Sequence, residues 1–218
     1  MSTPAIETAR RVAPARPWIV AATLCILAAA ALWFIQQAAR QYSIYDAASY
    51  GDLWPRRAGF IPHMAGGLVA ISTGLIQLWL GATRRTRSLH RNLGRVYLGG
   101  VAVGSAGAFY LALTIEPKYF AYAAGLFGLS TAWVLTTGMA YAAIRKRAIE
   151  RHREWMIRSY TVTFAFVLFR LVDQLLIHWR VAPADQIDAM TAWACWSVPL
   201  LLVEPLLQLR KMRRGALH

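Results

Sequence analysis

Four of the five histidines stand near the ends of apolar segments, His63 and His178 toward one side, His90 and His152 toward the other. An imidazole is costly to bury in hydrocarbon, so a histidine repeated at such positions calls for ligation, a proton path or an anchor at the interface. Inside the segments lie further groups that lipid does not tolerate: Arg170, Asp173 and Gln174 in the fifth apolar run and Glu204 in the sixth. Charged side chains at such depth face the interior of a bundle rather than lipid, and they mark polar paths or buried clasps.

The elements that carry these residues are readable from composition. With 57% hydrophobic and 16% charged residues, the 218-residue chain has too little polar surface for a soluble globule. Six runs, 18–38, 59–82, 95–115, 119–144, 156–178 and about 190–208, approach or exceed the roughly 20 residues that cross a ~30 Å hydrocarbon core. The expected fold is therefore an all-α integral membrane protein, a bundle of about six transmembrane helices. A basic tail over 1–17 precedes a single membrane domain over 18–208, and a second basic tail fills 209–218.

The formal charge of +14 is compatible with nucleic acid until its distribution is considered. Arg10, Arg11 and Arg16 precede the first run, Arg84, Arg85, Arg87, Arg91 and Arg95 follow the second, and Arg145, Lys146, Arg147, Arg151, Arg153 and Arg158 separate the fourth from the fifth. Arg210, Lys211, Arg213 and Arg214 close the chain, while the alternate connections carry Asp46, Asp52, Glu116, Asp185 and Asp188. This is the positive-inside pattern for an even number of spans. It predicts cytoplasmic termini in a bacterial inner membrane, basic loops against anionic lipid headgroups, and no nucleic-acid partner. The first run is longer than a signal-peptide core and lacks a polar cleavage region, so it reads as an uncleaved anchor, and Arg10-Arg11 is only a partial twin-arginine match. Cys25 and Cys195 fall inside apolar runs, where they act as small hydrophobes, and a disulfide is not expected.

Small residues indicate helix contacts. On the second run His63, Gly66, Gly67, Ala70, Gly74 and Gln77 fall within an arc of about 100° at ~100° per residue. So smooth a face admits a neighbouring helix or a flat cofactor. Gly100 and Gly104 form a GxxxG on the third run, and Gly125 and Gly128 lie on the fourth, where helix packing is the simpler reading. On the fifth run His152, Ser159, Thr163, Arg170, Gln174 and, at the edge, Asp173 share a side. Arg170 and Asp173, at i and i+3, are placed to pair, and Pro205 frees a carbonyl that would open a watered stretch around Glu204.

Three strings, F-I-P-H-M-A-G-G at 60–67, L-H-R-N-L-G-R-V-Y at 89–97 and H-R-E-W-M-I-R-S-Y at 152–160 followed by L-F-R-L at 168–171, resemble the DUF2306 family of predicted bacterial membrane proteins. The likeness covers about 59–171. It implies a membrane protein without assigned activity and directs attention to His63, His90, Arg95, His152, Trp155, Arg158 and Arg170.

The architecture is also similar to that of the transmembrane di-haem cytochrome b proteins, short bundles with paired histidines, glycines at the porphyrin edge and arginines for the propionates. That resemblance implies haem b, with His63 and His178, or His90 and His152, on the iron. Arg95, Arg158 and Arg170 become partners for propionates or a quinone headgroup. Depth argues against four ligands: His152 and His178 are 26 residues apart, about 39 Å at ~1.5 Å per residue, more than the ~30 Å core. A metal site from His63 with Asp52 or Glu116 is a lesser alternative. Two classes of function are thus open. One is a quinone-linked electron-transfer subunit with one or two b-type haems and a redox partner. The other is a non-redox carrier, or a lipid- or partner-binding scaffold, using Arg170, Asp173 and Glu204. A hydrolase or transferase has no motif to recommend it.

Overall fold

Hydrocarbon offers no water to a free backbone N–H or C=O, so each apolar run must close its hydrogen bonds within itself, and the chain does so entirely as helix. The computed structural model describes residues 17–83 and 86–215. Among them α1 spans Pro17–Tyr42, α2 Ala47–Tyr50, α3 Arg57–Thr83, α4 Arg87–Leu113, α5 Phe120–Arg145, α6 Ile149–His178 and α7 Ala184–Gly215, with no strand. All but α2 are long and apolar enough to cross a membrane. Arg10, Arg11, Arg16, Arg84 and Arg85 lie outside the described residues.

Three helices begin earlier than hydropathy predicts. α4 starts at Arg87 rather than near Arg95, α6 at Ile149 rather than Met156, and α7 at Ala184 rather than near Met190. Charge ends an apolar window but not a helix: basic side chains on the outermost turns reach to the interface while their backbone stays hydrogen-bonded. The gain in length puts His90 and His152 on helices. The α5–α6 turn is correspondingly tight. Arg147 takes the left-handed conformation at φ 55°, and Ala148 N–H donates back to Ala143 O at 3.0 Å.

Consecutive long helices α3 to α7 pack side by side, and α6 also touches α3. α4 and α6 both start at basic connections, so they run parallel. α1 lies at the margin, with Ala31 set against Ile71 and Val167. Beyond it Tyr42, Tyr45, Tyr50, Trp54 and Phe60 make an edge-to-face aromatic cluster of the kind that sits at a membrane interface. Asp46 caps α2 by accepting from Ser49 N–H at 2.7 Å, and the bonds from Ser49 hold its carboxyl below the usual range. This cap is complete above the ordinary carboxylate range and is lost as pH falls through the lowered value.

At Gly66 and Gly74 the glycine face of α3 is taken by neighbouring helices, the first of the two occupants that its smoothness admits. A Cβ on Gly66 would overlap the Gly104 backbone, one on Gly107 would overlap Gly59 O, and one on Gly74 would strike the Tyr160 ring. α3 and α4 therefore meet backbone to backbone, as small residues allow in lipid. Gly67, next in sequence, faces open space. Gly66→Ala should lower stability by about 1–3 kcal/mol through overpacking, whereas Gly67→Ala should leave it unchanged or raise it by up to about 1 kcal/mol through helix propensity. Thermal melts of the two variants in detergent check the contrast.

Candidate functional site

The interior of the bundle is organised by a buried set of hydroxyls. Tyr97 of α4 reaches Ser159 Oγ at 2.7 Å and Thr163 Oγ1 at 2.8 Å on α6, and Thr137 of α5 meets Ser159 Oγ at 2.7 Å. Trp133 Nε1–H donates to Thr163 Oγ1 at 2.8 Å, and Thr163 donates to its own helix at Ser159 O, 2.9 Å away. Counting donors fixes the direction of every bond. Thr163 spends its proton on Ser159 O, so Tyr97 must donate to Thr163. Ser159 then donates to Tyr97, and Thr137 to Ser159. Each hydroxyl proton has one acceptor, which makes the set a closed network rather than a half-satisfied one.

This network sets the register of the histidines. Tyr97 and Ser159 touch across parallel helices. His90 lies seven residues before Tyr97 and His152 seven before Ser159, two turns back on the same faces, about 10 Å nearer the basic end. His90 and His152 accordingly lie at the same end of the bundle, each two turns from the Tyr97–Ser159 bond. His152 Nδ1 lies 2.9 Å from Ala140 O. A carbonyl only accepts, so Nδ1–H donates, and in the neutral ring Nε2 is the nitrogen with the lone pair. His90 Nδ1 is buried without a hydrogen-bond partner, while the His90 carbonyl accepts from Gln77 Nε2.

The other pair does not form. His63 lies well inside α3 rather than at a helix end. Its Nδ1–H donates to Gly104 O at 3.0 Å, and its ring packs edge-on to Phe166 at 5.2 Å. His178, the last residue of α6, is exposed against Trp179. Twelve residues, about 18 Å of helix, separate Phe166 from His178, so the pairing of His63 with His178 by depth is corrected. The close approach of Gly107 to His63 sets that residue against α4, which distance from the end of an apolar run does not convey.

The charged residues also divide. Arg158 donates through Nε and Nη2 to Glu204 Oε2 at 2.9 and 2.6 Å and lies over the Trp155 ring, while Gln208 donates to Glu204 Oε1. Glu204 thus sits in an ion pair, with its side chain 43% exposed. Arg95 is exposed near His90, with no ion pair among the described residues. Arg170 and Asp173 form no ion pair among the described residues, and Asp173, buried on α6, has its Oδ1 without a hydrogen-bond partner. Gln174 is exposed.

A family model described as a predicted membrane protein, DUF2306, matches residues 60–208. The chain belongs to the DUF2306 family. The match extends past Leu171, where the three sequence strings end, into α7, and it begins after α1 and α2, in keeping with the marginal place of α1. No curated protein and no solved structure matches the chain. With six candidate spans, this DUF2306 member is a multi-pass membrane protein in a lipid bilayer.

Sequence alone does not single out Tyr97, Trp133 or Thr137 as partners in these contacts. Hydroxyls inside apolar runs, with a tyrosine at the end of the 89–97 string, are the available signal. Thr163→Val is nearly isosteric but leaves Tyr97 O–H and Trp133 N–H without an acceptor, and should cost about 2–4 kcal/mol; Thr137→Val removes one terminal donor and should cost under about 1.5 kcal/mol. Equal losses in thermal or denaturant unfolding would contradict these bond directions.

Proposed function

We propose that this DUF2306 protein is a membrane electron-transfer subunit that carries one b-type haem between His90 and His152. The observation that carries the reading is the register of α4 and α6. It sets two imidazoles opposite each other, one with Nδ1–H held by Ala140 O and Nε2 left as a donor to metal, the other with a buried, unpartnered ring nitrogen. The donor set suits iron: two imidazoles on helices that Tyr97 joins, one with an outer hydrogen bond that fixes its orientation and raises ligand basicity. Tyr97 bridges α4 and α6 at the level of Ser159. The histidines two turns away are shorter than tyrosine, which favours a bridging atom over direct contact.

When bound, haem supplies one-electron chemistry that the side chains lack. The chain's own part is to bind and orient. Gln77 ties α3 to the His90 backbone, Ala140 holds the His152 ring, and Arg95 is the candidate partner for a propionate or a quinone headgroup on that side. Arg158, committed to Glu204, and Arg170, at the other end of α6, drop out of that role. The positive-inside pattern would put the site on the cytoplasmic side, toward a quinone pool and a soluble or membrane redox partner.

A carrier with Arg170, Asp173 and Glu204 on one path is less well supported. Arg158, which holds Glu204, is 15 residues from Asp173, about 22 Å along α6.

The test is an absorption spectrum of protein purified in detergent from haem-replete cells, before and after dithionite. A Soret band and a sharp reduced α band are expected in the wild type, lost in His90→Ala and in His152→Ala and retained in His63→Ala and His178→Ala. A colourless wild type would refute the proposal, as would loss of colour only in the His63 and His178 variants.

A further inference from the structure

The first turns of α6 and the last turns of α7 enclose a cavity of about 300 Å³ at the basic end of the bundle, near the lower end of the range for small-ligand pockets. Arg151, Arg153, Arg210 and Lys211 line it, together with Glu150 and Glu154 of α6. Four cations and two carboxylates leave it a net charge of +2. Arg153 is taken by Glu150 at 3.3 Å, whereas Arg151 and Lys211 are exposed and form no ion pair among the described residues. The deeper part of the wall is apolar, with Ile157 half-buried and Leu207 buried. One turn farther in, the Arg158–Glu204 pair ties α6 to α7. Outside the cavity, Leu202 and Leu206 stand at i, i+4 spacing below Arg210 on α7, and both leucines are exposed.

We propose that this cavity binds one anionic phospholipid, its phosphodiester headgroup between Arg151 and Lys211 and its acyl chains along Leu206 and Leu202 into the hydrocarbon. Basic pockets between membrane helices suit such headgroups, and the change from cations to apolar wall within two turns matches the change from headgroup to chain. A soluble anion would use the cations and leave Ile157, Leu207 and the leucine stripe without a role. A zwitterionic headgroup would set its own ammonium against the excess of positive charge. The site is also distinct from the general attraction of basic loops to a membrane surface, which is diffuse, screened by salt and independent of any cavity. A lipid held here joins the last turns of α7 to the start of α6 beyond the reach of the Arg158–Glu204 pair. Neither His90 nor His152 lines the cavity, so lipid binding and haem binding can fail separately.

Native mass spectrometry of the full-length protein, delipidated in detergent and titrated with phosphatidylglycerol or with phosphatidylcholine of the same acyl chains, tests this directly. The wild type should retain one phosphatidylglycerol about thirtyfold more tightly than phosphatidylcholine, the effect of two cations at a headgroup. Arg151→Gln combined with Lys211→Gln should erase that preference, and because both positions are exposed the fold does not depend on them. Arg145→Gln combined with Lys146→Gln, exposed at the same end but outside the cavity, should leave it unchanged. Equal affinity for the two lipids would overturn the proposal. So would an equal loss in the Arg145 and Lys146 variant, which would reduce the effect to diffuse attraction. Binding of inorganic phosphate as tight as that of phosphatidylglycerol would also overturn it, giving the cavity to a soluble anion.

Discussion

The register of α4 against α6 depends on one tyrosine. Tyr97 crosses from α4 to two hydroxyls of α6, and those hydroxyls are in turn committed to α5 and to their own backbone. In lipid there is no hydrophobic drive to choose between one sliding position of a helix and the next, because the tails are as apolar as the side chains. A one-turn slip of α6 would leave four buried donors seeking new acceptors, each orphan costing about 1–3 kcal/mol. The network therefore specifies position as much as it stabilises. His90 and His152 inherit their juxtaposition from it, two turns away.

The glycine crossing of α3 and α4 plays the complementary part. It brings α3 close enough for Gln77 to reach the His90 carbonyl and for His63 to reach Gly104 O. His63 and His152 make the same kind of bond, a ring N–H to the carbonyl of a neighbouring helix. The surroundings differ. His63 is enclosed by Phe166 and the glycines of α4, a setting for a packing residue that joins helices. His152 stands near another histidine at the basic end. The same side chain thus anchors packing in one place and offers a lone pair in the other, and the neighbours decide which.

Helix number and the buried character of α6 are legible in the sequence because both depend on composition along one chain. Helical angle alone places Ser159, Thr163, Arg170 and Asp173 on one side, and Ser159, Thr163 and Asp173 are indeed buried. Partner choice is not legible. Helical spacing offers Arg170 to Asp173, but the two form no ion pair among the described residues, and the pairing of Arg158 with Glu204 spans helices whose relative rotation no single run encodes. Depth misleads at His63 for the same reason: distance from the end of an apolar run does not report where a neighbouring helix crosses. The pairing of His90 with His152 follows from depth, and its register comes from Tyr97, a residue whose role needs three helices to be seen at once.

The central claim is a single bis-histidine haem site at the basic end of the bundle. It is tested most directly by the molar ratio of extractable b haem to chain in the purified wild-type protein, saturated with haem and freed of excess. One haem per chain is the ratio the proposal predicts, since of the two histidine pairs only His90 and His152 share an end of the bundle. No haem after saturation would contradict the claim outright, and two per chain would show that His63 or His178 takes part in a second site.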